Sequence, residues 1–75
     1  MKYYKIMWRH DTITYYRVLS NSHYEHFHYD TWYRGWGNNW DRLVEEVRRL
    51  SQVVEVSQLE VLLVLGREAI ELPTI

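Results

Sequence analysis

The chain has 75 residues, a formal charge of −1, no cysteine and four histidines, with 47% apolar and 25% charged residues. That length suits one domain (1–75) that buries only roughly 60% of its unfolded surface, so it depends on tight packing, a metal or a partner. The composition excludes a disulfide framework, a cysteine zinc site and a thiol nucleophile, and the near-neutral charge argues against binding duplex nucleic acid.

All twelve aromatic residues and all four histidines lie between Tyr3 and Trp40, whereas sixteen of twenty Val, Leu and Ile residues lie beyond residue 40. The first half reads as an antiparallel three-strand meander over about 2–9, 12–19 and 23–34, rich in Tyr, Trp, Ile, Thr and Val. His10-Asp11 and Ser20-Asn21-Ser22 are the turns. Pairing across the second turn sets Leu19 against His23, Arg17 against Glu25 and Tyr15 against Phe27, which opposes complementary charges and matches large side chains. A two-residue loop at His10-Asp11 would set Trp8 against Ile13 and Ile6 against Tyr15. Tyr4, Ile6, Trp8, Tyr15 and Phe27 then face inward, and Tyr3, Lys5, Tyr16, Tyr24, His26 and His28 face outward.

Gly35-Trp36-Gly37-Asn38-Asn39 is a loop, and an asparagine there can cap the helix that follows over about 39–51. Trp40, Leu43, Val44, Val47 and Leu50 form its apolar stripe, with Asp41 in the first turn and Arg48 and Arg49 near the end. Glu45 and Arg49 stand four apart as an ion pair. Beyond it, Val53–Val56 and the aliphatic run to Leu65 predict strands over about 53–65 and 69–72. The alternative is a short second helix at 57–65, because Ser57-Gln58-Leu59-Glu60 matches a capping box and Gly66 a terminator. The fold class is α+β in both cases.

Three groups of residues bear on function. His26, His28 and Asp30 alternate along a strand and would share a face, the spacing of a metal-binding strand. Tyr3, Lys5, Tyr16, Tyr24, His26 and His28 form the outward face, joined by Trp36 in the loop. Such a face suits a protein partner, or bases of single-stranded nucleic acid, although no RNP-type signature is present. The third is the C-terminal aliphatic block. As a buried strand or as a helix apolar almost all round, it exposes more apolar surface than one small domain covers.

Arg34-Gly35-Trp36-Gly37 lacks the third glycine of a dinucleotide-binding fingerprint. No serine sits in a nucleophile elbow, and Glu45, Glu46, Glu55, Glu60 and Glu71 read as solvated helix or edge positions. The sequence therefore leads us to expect a non-catalytic interaction module without a cofactor, docking on a larger protein or on itself, with a dimer as the self-associated form. No apolar run approaches the ~20 residues of a membrane span, no targeting signal is apparent, and a cytoplasmic location is expected.

Overall fold

The computed structural model describes residues 1–35 and 37–71. β1 (Lys2–Trp8), β2 (Ile13–Ser20), β3 (His23–His28) and β4 (Thr31–Arg34) run up and down in sequence order. α1 (Trp40–Val47) carries the chain from β4 at one edge to β5 (Ser51–Val56), which pairs antiparallel with β1 at the other. α2 (Gln58–Leu65) and α3 (Arg67–Glu71) complete an α+β fold.

The turns decide which side chains share a face. At the first hairpin, Asp11 N donates to Trp8 O at 3.2 Å and Trp8 N donates to Thr12 O at 2.8 Å. The loop is thus Arg9-His10-Asp11, one residue longer than the sequence reading supposes, with Asp11 left-handed at φ 63°. Three-residue hairpin loops take this form, and aspartate tolerates it. The extra residue slips the register by one, so Met7 opposes Ile13 and Lys5 opposes Tyr15. A one-residue slip turns every side chain of a strand to the other face. This corrects the placement of Tyr3 and Lys5.

The second turn keeps Arg17 opposite Glu25 as expected, but Ser20 takes the place of Leu19 opposite His23 through a register irregularity. The run expected as one strand over 23–34 instead folds back at Tyr29-Asp30. Both residues are left-handed, at φ 49° and 64°. His28 opposes Thr31 across this two-residue turn.

Alternation from these registers sorts the sheet into two sides. The front carries Tyr3, Tyr15, Phe27 and Trp32, covered by Val61, Leu65, Ala69 and Ile70 of α2 and α3. Trp32 Nε1 donates to Ala69 O at 2.8 Å, which ties α3 to β4. Burying each such side chain contributes on the order of 1.5–3 kcal/mol. Beneath Trp32 lies a buried ion pair, Arg17 Nε to Glu25 Oε1, with the guanidinium 4.7 Å from the indole centre. His23 Nε2 is buried without a hydrogen-bond partner among the described residues, 3.9 Å from Glu25 Oε2.

The back is covered by α1. Trp40 packs against Tyr4, Tyr16 and Tyr24 with ring centres 5.1, 5.2 and 5.3 Å away. Asn39 caps the helix by accepting from Arg42 N at 3.0 Å. Asn21, in the β2–β3 turn, accepts from Trp40 N through its carbonyl at 2.7 Å and from Asp41 N through its side chain at 2.9 Å. The helix stops at Val47, short of the expected residue 51. Leu50 N and Ser51 Oγ both donate to Val47 O, and β5 begins at once. Glu45 accordingly pairs with Arg48 at 3.2 Å instead of Arg49.

The C-terminal half follows the capping signals over the valine content. The strand predicted over 53–65 ends at Val56, and the helical alternative forms. Ser57 Oγ accepts from Glu60 N at 3.1 Å, and Gly66, at φ 93°, donates its N–H to Leu62 O at 3.0 Å. The strand expected over 69–72 is replaced as well. Ala69–Glu71 belong to α3, where Ala69 is fully buried, and Leu72 lies outside the described residues.

Candidate functional site

Of the outward face read from the sequence, the structure brings Tyr16, Tyr24, His26 and His28 onto one side of the sheet, the back. Tyr3 and Lys5 are on the front: Tyr3 is core, and Lys5 Nζ binds Glu60 Oε2 at 3.0 Å. Trp36 lies outside the described residues. The face is only partly outward, because α1 covers Tyr24 and half of Tyr16.

A row of rings runs from this buried end into solvent. Tyr16 lies 6.2 Å from His26, which stacks on Tyr33 at 6.0 Å and lies 6.4 Å from His28. His28 meets Tyr29 at 4.1 Å, and Tyr29 is 84% exposed at the hairpin tip. A left-handed backbone is costly for a bulky residue, so this aromatic is presented at the expense of stability. Burial, and next the neighbouring His28, lowers the His26 pKa below its ordinary 6.5. Burial, and then the Tyr24 phenol beside it, raises that of Tyr16.

The inner end of the row floors a cleft of about 530 Å³, walled by α1 (Arg42, Leu43, Glu46) and by residues 35 and 37–39. Its loop wall is pressed onto Tyr24. Gly35 N donates to Tyr24 O at 3.0 Å, and Gly37 N donates to Tyr24 Oη at 3.2 Å. A Cβ on Gly35 would overlap the Tyr24 ring, and one on Gly37 would stand 2.9 Å from the hydroxyl. Gly35 is therefore required by close approach, whereas a side chain at position 37 would only press on the Tyr24 hydroxyl.

The metal-binding reading loses its third ligand. β3 ends at His28, and Asp30 sits in the left-handed turn, not on the strand. Among the described residues no group of three or more His, Asp or Glu is arranged to hold a metal ion.

The aliphatic block forms the other candidate. On α2 only Val61 is buried, whereas Leu59, Leu63 and Val64 are exposed by 61, 76 and 56%. Leu59 and Leu62 also border an apolar groove of about 450 Å³, closed by Arg67 and Ile70 of α3. Glu60, on the flank of α2, accepts from Tyr15 OH at 3.0 Å and from Lys5. These two bonds hold its carboxyl below the usual range. Desolvation, together with the bond and charge of Glu60, pushes Tyr15 up to about 12. The sequence signal for this surface was the absence of a polar stripe in residues 59–65. Tyr33 and Tyr29, by contrast, could be found only once the turn at 29–30 was known.

No protein-family model, curated protein or solved structure matches the chain. Among the described residues no helix is long and apolar enough to cross a membrane.

Proposed function

We propose that this protein is a small, non-catalytic docking module whose main contact surface is the outer side of α2, acting on a larger protein or on a second copy in the cytoplasm. One observation carries the reading: Leu59, Leu62, Leu63 and Val64 crowd the solvent side of a helix only eight residues long. Contiguous exposed apolar surface marks interaction sites, and anchors at i, i+3 and i+4 suit a helix laid in a partner's groove. The flanking acid, Glu60, is already engaged by Lys5 and Tyr15, so little charge has to be desolvated on docking. The exposed end of the ring row (His28, Tyr29 and Tyr33) provides a second contact region, since aromatic side chains supply much of interface energy.

Sedimentation over a wide concentration range tests the self-association branch. A mass that rises with concentration, and that Leu63→Glu returns to the monomer, supports it. A strict monomer removes that branch and leaves docking on another protein.

A further inference from the structure

The geometry points to the cleft between α1 and the back of the sheet as a binding site for a small planar ring that carries a carbonyl or carboxylate acceptor. Its volume, about 530 Å³, lies within the about 300–1,000 Å³ of small-molecule sites. Tyr16, Tyr24 and His26 give it an aromatic floor. Offset or tilted packing on such rings favours another flat π-system.

Hydrogen-bonding capacity selects the substituent. A tyrosine hydroxyl has one proton to donate. That of Tyr24, a side chain almost wholly buried, accepts from Gly37 N and has no acceptor for its own proton among the described residues. The Tyr16 hydroxyl has no hydrogen-bond partner among them either. The Tyr16 hydroxyl is protonated at pH 7, as any tyrosine with an ordinary or raised pKa is, and burial and the neighbouring His28 favour the neutral form of the His26 imidazole. Tyr16 and Tyr24 thus both line the cleft with hydroxyl protons for which no acceptor is found among the described residues. At the rim Arg42 Nε binds Glu46 Oε1 at 3.0 Å, so the charge of this arginine is largely balanced. A ring acceptor, neutral or anionic, satisfies the two hydroxyls; a cationic ring does not.

The test is an NMR titration of the full chain with benzamide and benzoate, observing the rings of Tyr16, Tyr24 and His26. Benzylamine, which has no acceptor, and cyclohexanecarboxamide, which has no π face, serve as controls. At least one of the two acceptor rings is expected to give saturable shifts below about 10 mM, with the controls about tenfold weaker or more. Tyr16→Phe, which keeps the ring and removes the donor, should weaken binding about fivefold while the resonances of Val61 and Ala69 stay in place. Tighter benzoate would mean that Arg42 contributes charge, and tighter benzamide that the phenols act alone; both fit the proposal. Absence of saturable shifts, controls that bind as well, or a Tyr16→Phe protein that binds undiminished would overturn it.

Discussion

α1 and α2 are both eight residues long, lie on opposite sides of one sheet and each bury a single residue, Trp40 and Val61. Their solvent sides differ completely. α1 shows Asp41, Arg42, Glu45 and Glu46 to water, laced by ion pairs of 3.0 and 3.2 Å. α2 shows leucine and valine. A helix that only covers a sheet has the first pattern, and the second is the observation on which the proposed contact surface rests. The sides beneath the helices differ as well. The front is held by a buried ion pair under an indole, whereas the back is held by a box of aromatic rings and a loop pressed on Tyr24.

The largest effect expected is on the front. Glu25→Gln removes the carboxylate charge that meets Arg17 Nε inside the front core, and breaking a buried pair in this way costs on the order of 3–5 kcal/mol. In a domain this small that is enough to unfold much of the population at 25 °C, and a urea titration will read it. A variant that melts like the parent would mean that the front does not depend on the pair. On the back, Gly35→Ala drives a methyl into the Tyr24 ring and should cost about 1–3 kcal/mol by the same titration. It should also shift the resonances of Tyr24 and Trp40 while leaving Val61 and Ala69 alone, separating the two sides.

Tyr29→Asn should raise stability by about 1 kcal/mol, because asparagine accepts the left-handed backbone that tyrosine resists. The same change should weaken any contact made through the hairpin tip. The smallest effect is that of pH on the back. His26 has a folded pKa below its unfolded 6.5, so its contribution to stability is complete above pH 6.5. As pH falls below 6.5 the unfolded chain takes up the proton more readily, and that contribution is lost on passing through the folded pKa. Replacing His26 by phenylalanine should flatten this part of the stability profile. An unchanged profile would put the acid sensitivity elsewhere.

Much of this architecture was legible in the residues, and what was missed in the sheet has a common cause. The Asn39 cap and the Arg17–Glu25 pairing rest on local chemistry that a sequence displays, and so do the capping signals of the Ser57-to-Gly66 helix, although the valine content favoured a strand there. The side assigned to β1 did not, since it depended on whether the first loop holds two residues or three. Asp11 at φ 63° settled that. Tyr29 in a left-handed turn runs against its own preference, so nothing local announced the fold-back between β3 and β4. Helices on both sides then converted an expected inside and outside into two covered faces. Tyr16, Tyr24, His26 and His28 stayed together through this change because β2 and β3 kept their register. Tyr3 and Lys5 moved away because β1 did not.

The central claim, that the outer side of α2 is a contact surface, is most directly tested by placing a photo-crosslinking amino acid at position 63 and, separately, at position 45. Both positions are exposed, one on each helix. Irradiation of the purified protein at high concentration and in cells producing it should give a discrete adduct from position 63 that Leu59→Glu suppresses, and nothing comparable from position 45. Equal labelling from the two positions, or none from position 63 in either setting, would contradict the account.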